Sequence, residues 1–314
     1  MSGALNSVLS FLGVTVSGFE GGNTPVNPNA PFGNIYAFGD SLSDAGNDFI
    51  LSLNHLPVSP PYVDGHFTNG PTWVQDLAAS MSLPTVSASL SGGTDFAYGG
   101  AETGSEPLHS ANLLDLPTQL AEFRAEYPHP NPNALYTVWA GSNDVIDAIN
   151  EWFVNPTTAF ADLQQAVNNI ADFSFSLAEA GAKNMLLLTV PDIGKTPEER
   201  QQGKSHAHVG HVMAKLFDQD LTQTMQVVAA QAHLNLGILD TFSLIDQAVK
   251  HPQQFGITNT KDPVWTGNFT DPNSGTLVST NPAVQNQHLF WDKLHPTAQG
   301  HSVVAAAAHS VLFG

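Results

Sequence analysis

Four short segments hold the residue types that nucleophilic catalysis needs. Gly39-Asp40-Ser41-Leu42-Ser43-Asp44-Ala45-Gly46-Asn47 follows a short apolar run. Gly99-Gly100 follows Phe96-Ala97-Tyr98, and Gly141-Ser142-Asn143-Asp144 follows an apolar stretch at 134–140. Asp292-Lys293-Leu294-His295-Pro296 stands near the C-terminus. A serine hydroxyl is a poor nucleophile until a base within hydrogen-bond reach takes its proton. Histidine suits that task because its pKa lies near neutrality. A carboxylate on the other ring nitrogen fixes the tautomer and stabilises the imidazolium. Asp292 and His295 are three residues apart, so one turn can bring the carboxylate to Nδ1 while Nε2 faces Ser41. Backbone N–H groups and an amide side chain must then hold the oxyanion, each such donor contributing about 10²–10³ in rate.

These segments are useful only if other elements converge them. Apolar runs at 35–38, 134–140, 185–190 and 236–239 read as buried strands, and 96–98 reads as a further short one. Helical spacing or helix-forming composition covers about 71–82, 116–127, 157–180, 205–233, 241–251 and 296–312, the last with Pro296 in its first turn. Alternating strands and helices give βαβ units and a parallel sheet. Such a sheet binds ligands at the carboxyl ends of its strands, which is where the first three segments fall. A leader at 1–32, punctuated by Gly21, Gly22, Pro25, Pro28 and Pro31, precedes a single domain at 33–314. Long loops near 50–70 and 250–290 are expected to shape the substrate groove.

Composition removes other classes of function. The 314 residues include 9 Lys plus Arg and 28 Asp plus Glu, a net charge of −19. No basic residue precedes Arg124, so the footprint that neutralises phosphates is missing and a nucleic-acid partner is not expected. Electrostatic docking on anionic lipid is disfavoured for the same reason. There is no cysteine, which excludes thiolate nucleophiles and disulfides. The apolar stretch at 4–19 is too short and too interrupted to span a membrane, and it lacks the basic start of a secretory signal. The acidic, cation-poor surface gives solubility, and it would also favour neutral esters over anionic substrates.

The four segments resemble the four blocks of the GDSL, or SGNH, hydrolase superfamily, read here as FGDSLSDAGN, FAYGGA, GSND and DKLH. Pro60-Pro61-Tyr62, the stretch from Gly65 to Val74, and 242–263 are similar to its larger lipolytic subgroup, which holds plant-type lipases, bacterial phospholipase/acyltransferases and autotransporter passenger esterases. The resemblance runs from about residue 34 to the C-terminus. It implies an α/β fold, a three-layer α/β/α sandwich with a flavodoxin-like parallel sheet. It implies Ser41 as nucleophile, His295 as base and Asp292 as its orienting carboxylate. The oxyanion hole would be the Ser41 N–H, the Gly100 N–H and the Asn143 side chain, with Gly99 as rival to Gly100. No metal and no organic cofactor is implied. The substrate would be a small-molecule or lipid ester, and a secreted or cell-surface location is expected. Two departures stand out: His66 replaces the usual arginine of the GRFSNG stretch, and no cysteine follows Asp262-Pro263.

Plainer readings compete. Ser41 alone would be a turn serine, Asn143 a helix cap and His295 a surface histidine; the ordered combination favours catalysis. Asp40, Asp44 and Asn47 are expected to pin the nucleophile turn. His206, His208 and His211 contain no i,i+4 pair, so a solvated helix start is expected there in place of a metal site. Phe173, Phe175 and Leu177 read as core. Asn268-Phe269-Thr270 fits a glycosylation acceptor. The expected activity is carboxylesterase or lipase. Phospholipase A or acyl transfer is the alternative, then deacetylation of carbohydrate; a binding module that had lost catalysis should lack at least one catalytic residue, and all are present here.

Overall fold

Strand residues of this chain alternate between two separate cores, and that alternation builds the molecule. The structure, a computed structural model, describes residues 31–104 and 114–314. All but the last two residues of the expected leader therefore lie outside the described residues. The elements in chain order are β1 (Ile35–Gly39), α1 (Asn47–Leu51), α2 (Trp73–Ser80), α3 (Leu116–Glu126), β2 (Leu135–Trp139), α4 (Ser142–Trp152), α5 (Pro156–Ala180), β3 (Asn184–Leu188), α6 (Pro197–Gln201), α7 (Lys204–Ala232), β4 (Asn235–Leu239), α8 (Thr241–Lys250), α9 (Pro282–Gln285) and α10 (Ala298–Phe313). The strands form one parallel sheet in the order β1-β2-β3-β4.

Successive side chains of a strand point to opposite faces. Tyr36, Phe38, Tyr136, Val138, Met185 and Leu187 enter a core shared with α3, α4, α5 and α7. Ile35, Ala37, Leu135, Trp139, Leu186 and Leu188 enter a second core shared with α2, α8 and α10. Helices thus cover both faces, which is why these strands read as continuous apolar runs. The expected α/β three-layer architecture is the one observed.

Helix ends follow local chemistry. Pro156 occupies the first turn of α5, its Asn155 cap accepts the Thr158 N–H, and Gly181 ends the helix. The Thr297 hydroxyl caps α10, so this helix starts at Ala298 and Pro296 lies before its cap, outside the first turn. Helix α4 is marked in the sequence only by the reading of Asn143 as a helix cap; the helix starts at Ser142, with Gly141 at the cap and Asn143 inside the first turn. Its Val145, Ala148 and Ile149 are buried against the sheet. The expected strand at 96–98 is a correction. Only Asp95 bridges β1, although the Phe96 and Tyr98 N–H groups donate to Ala37 and Gly39. The Asn47 side chain takes the Asp95 and Ala97 carbonyls on the other side, where a neighbouring strand would pair. No helix among the described residues is long and apolar enough to cross a membrane.

Candidate active site

The turn that carries Ser41 begins where β1 meets β2. Gly39 has φ 142°, and a Cβ there would stand 2.0 Å from the Trp139 carbonyl oxygen, so only glycine fits. The Gln119 side chain holds this point from both sides, accepting the Gly39 N–H at 2.9 Å and donating to its carbonyl at 2.8 Å. The chain then folds tightly: Leu42 N–H donates to the Asp40 carboxylate, and Ser43 and Asp44 N–H donate to the Asp40 carbonyl. Asp44 accepts the N–H groups of Gly46, Asn47, Asp48 and Gly99. Asp44 and Asn47 thus pin the turn, as expected. Ser41 is left with its side chain directed at the histidine loop.

His295 Nε2 lies 2.8 Å from Ser41 Oγ, and Nδ1 lies 2.7 Å from Asp292 Oδ2. The other carboxylate oxygen, Oδ1, accepts the N–H groups of Leu294 and His295 at 2.8 and 2.7 Å. The Tyr62 hydroxyl donates to Oδ2 at 2.5 Å. All four side chains are buried. The loop bearing His295 is held by Thr68, whose hydroxyl donates to the Pro296 carbonyl, and by Asn69, which accepts the Ala298 N–H. Phe67 lies over the imidazole with ring centres 5.2 Å apart.

Burial opposes charge on both members of the His–Asp pair, but the pair overcomes it. Desolvation would lower the His295 pKa. The Asp292 carboxylate, its hydrogen bond and the nearby Asp40 raise it above the ordinary value. Desolvation would raise Asp292. The charge of His295 and the hydrogen bonds from His295 and Tyr62 hold it below the ordinary carboxylate range. The site therefore favours an ionised Asp292 beside an imidazole made more basic than usual. Burial lifts Asp40 to about 7 against the opposing Leu42 N–H and His295.

Asn143, on the first turn of α4, and Ser41 line the same pocket. One N–H of the Asn143 amide donates to the Ala101 carbonyl at 2.7 Å, leaving the second hydrogen of the NH₂ group to point elsewhere. Asp144 holds the same loop through the Thr103 N–H and hydroxyl. The rival glycines differ. The Gly99 N–H is given to Asp44 at 3.3 Å, and a Gly99 side chain would collide with Asp48 and Phe67. Gly100 has φ 72°, the left-handed region that favours glycine.

A small, mostly apolar pocket opens beside Ser41 and His295. Its lining comes from the ends of the strands, from α8 and α10, and from Leu289, Phe290 and Leu294. Of the two loops expected to shape the groove, 250–290 contributes Leu289 and Phe290, and 50–70 contributes nothing to this lining. His66 is not a groove wall: it is buried, with Nδ1 2.9 Å from the Gly70 carbonyl oxygen. Tyr62 is the residue that sequence reasoning missed. It was quoted within a motif, yet no spacing rule ties it to an aspartate 230 positions away. His206 pairs with Glu199, and His211 Nδ1 lies 2.7 Å from Asp192. Among the described residues no group of three or more His, Asp or Glu side chains is placed to hold a metal ion.

Comparison with known proteins gives the following similarities. The family profile of the GDSL-like lipase/acylhydrolases matches residues 35–308. A phosphatidylcholine-sterol acyltransferase of Aeromonas hydrophila is 25% identical, over 88% of this chain and 89% of its own. A GDSL esterase/lipase of Arabidopsis thaliana is 23% identical, over 92% of each chain. Several other curated relatives are longer, and this chain spans about half of their length. Among solved structures, an acetylxylan esterase of Geobacillus stearothermophilus is similar with a TM-score of 0.43 and 14% identity, over 90% of this chain and 97% of its own.

Proposed function

We propose that this chain, which belongs to the GDSL-like lipase/acylhydrolase family, is a serine ester hydrolase that works through an acyl-enzyme on Ser41. The observation that carries the reading is the unbroken hydrogen-bonded series Ser41–His295–Asp292 beside an apolar pocket. His295 Nε2 takes the Ser41 proton as Oγ attacks the ester carbonyl. Asp292 holds the ring by Nδ1–H and stabilises the imidazolium. The developing oxyanion is met by the Ser41 N–H, the Gly100 N–H and the free amide hydrogen of Asn143. Gly100 is kept as the glycine donor, as the family resemblance implies, with Gly99, whose N–H is donated to Asp44 at 3.3 Å, as its rival. The imidazolium then protonates the leaving alcohol. Water, deprotonated by His295, attacks the acyl-enzyme and releases the acid with Ser41 restored.

A second reading keeps the same acyl-enzyme and changes the acceptor. Transfer from a phospholipid to an alcohol is favoured by the similarity to the Aeromonas acyltransferase. One experiment tests both. Wild type and Ser41→Ala are assayed on p-nitrophenyl esters from acetate to palmitate, and on phosphatidylcholine with and without an added alcohol. Hydrolysis lost in Ser41→Ala, with one phosphonate equivalent of mass gained by wild type only, supports the hydrolase. New ester formed in place of free acid supports transfer. A folded wild type that consumes no ester, or activity that survives in Ser41→Ala, overturns the proposal.

A further inference from the structure

Resting on the ester hydrolase reading, we infer that Gln119 is a positioning residue for that reaction. With Asp115 it braces the Ser41 turn against the Gly99-Gly100 segment, and so sets the aim of the N–H groups that would meet the oxyanion. Neither residue lines the pocket beside Ser41, and both are buried at the start of α3.

The Gln119 amide has each of its hydrogens placed. Oε1 accepts the Gly39 N–H at 2.9 Å, one amide hydrogen goes to the Gly39 carbonyl at 2.8 Å, and the other goes to the Leu114 carbonyl at 2.9 Å. The Gly39 carbonyl also accepts the Tyr98 N–H at 3.3 Å. One carbonyl at the end of β1 thus joins that strand, α3 and the residue that leads into Gly99-Gly100. In the same turn of α3, Asp115 Oδ1 accepts the Glu102 N–H at 2.8 Å, the Asp115 carbonyl accepts the Gln119 N–H at 3.1 Å, and the Leu116 N–H donates to the Glu102 carbonyl at 3.2 Å. Further along the helix, Phe123 meets Phe38 of β1 and Phe96 edge-on, with ring centres 5.4 and 5.5 Å apart. Helix α3 is therefore fastened to β1 through Gln119 and Phe123, and to 96–102 through Asp115 and Phe123. Asn143 joins the same frame through the Ala101 carbonyl, 2.7 Å from its amide nitrogen.

The chemistry of this place calls for an amide. A carboxylate would keep the acceptor but turn negative charge on two carbonyl oxygens. An apolar side chain would leave the buried Gly39 N–H without a partner, at the full cost of its desolvation. Ser41 follows Gly39 by two residues, so a shift of Gly39 is passed on to the Ser41 N–H. Donors aimed in advance stabilise the oxyanion without reorganising, and a misplacement of about 1 Å costs on the order of 10² in rate.

The test measures kcat and KM on p-nitrophenyl butyrate and the Ki of an alkyl trifluoromethyl ketone. Ser41 Oγ adds to the ketone carbon, its proton passes to His295, and the carbonyl oxygen becomes an oxyanion, so Ki reads the donors directly. Gln119→Met should lower kcat about 10–100-fold with KM nearly unchanged, and should raise Ki by the same factor. An unchanged kcat, or a fall in kcat that Ki does not follow, overturns the inference and leaves Gln119 to stability alone. Gln119→Glu keeps the size of the side chain and decides the matter if Gln119→Met does not fold. Its protonated form retains one O–H donor, so the ratio of its kcat to that of wild type should fall as pH rises from about 5.5 to about 8.5. A ratio that stays flat across that range overturns the inference. A wild type that neither hydrolyses the ester nor binds the ketone overturns the hydrolase reading instead.

Discussion

Tyr62→Phe removes one oxygen and leaves the ring in place. The ring packs edge-on against Trp265, with further contacts to Trp291 and Phe67, so the variant changes little except the hydrogen bond to Asp292 Oδ2. A hydrogen bond to a charged group contributes about 1.5–3 kcal/mol. With an unfolding entropy of about 0.6 kcal/mol/K for a chain of this size, Tm should fall by about 3–5 °C. The catalytic effect has a separate signature. The Tyr62 hydroxyl is one of the groups that hold the Asp292 pKa down. Without it, more of the carboxylate's negative charge is left to act on His295, whose pKa Asp292 already raises. The reactive form needs neutral His295, so the acid limb of kcat/KM should move to higher pH, by about half a unit to one unit. One unit corresponds to about 1.4 kcal/mol. Looser orientation of the imidazole should lower kcat about tenfold at the optimum, with KM nearly unchanged. The assay is p-nitrophenyl butyrate hydrolysis across pH, beside a thermal melt. A lower Tm with an unmoved acid limb and unchanged kcat would refute the argument and reduce Tyr62 to packing.

Asn143→Ala should lower kcat about 10²–10³-fold with little change in KM, read in the same assay. His295→Ala should cost about as much as Ser41→Ala, and the double variant should be no slower than either, because residues that act as a unit are not additive. Gly39→Ala forces a Cβ against the Trp139 carbonyl at positive φ and should destabilise by about 3 kcal/mol or more, seen as loss of soluble protein or a steep fall in Tm. Burial raises Asp40, Asp48 and Asp76 to about 7 and Asp218 to about 8. The folded chain then holds protons that the unfolded chain releases near pH 4. This stability is present below the unfolded pKa and is lost as pH rises through 7 to 8, so Tm should be lower at about pH 8.5 than at about pH 5.5. Asp218→Asn, which can still accept the Val190 N–H, should flatten part of that slope in melts across pH.

Strand and helix order was legible because the apolar runs sit between two helical layers and carry few polar residues, Thr137 and Thr189 among them. Period two was invisible in β1, β2 and β3, since both faces are buried there; only the structure separates Tyr36 and Phe38 from Ile35 and Ala37. The extent of helix α4 was not legible because its first three residues, Ser142 to Asp144, are turn formers, and its apolar positions become meaningful only against the sheet. The segment at 96–98 looked like a strand because it is apolar and lies against β1. It fails as one because a side chain, Asn47, takes the outer carbonyls. In the candidate site, residues marked by local motifs could be named in advance. The hydroxyl of Tyr62 and the half-turned amide of Asn143 depend on contacts between distant segments, and no local pattern encodes those.

The formal charge of −19 overstates what a substrate meets at this site. Asp40, Asp44, Asp95 and Asp144 are acidic by sequence, yet they surround the nucleophile turn as buried acceptors of backbone N–H groups. Desolvation lifts all four, Asp44 and Asp144 to about 6 and Asp95 well above the ordinary range. A carboxyl group used in this way staples the backbone, and its burial makes it harder to ionise than an exposed one. Asp292 is the exception, because it alone of these faces a cationic partner and a tyrosine hydroxyl and is held ionised. Asp292 is thus held as a carboxylate beside His295, while its neighbours fix the backbone. Repulsion of anionic substrates by the whole acidic surface is therefore a weak selector at this pocket. The mostly apolar lining of the pocket is the stronger one.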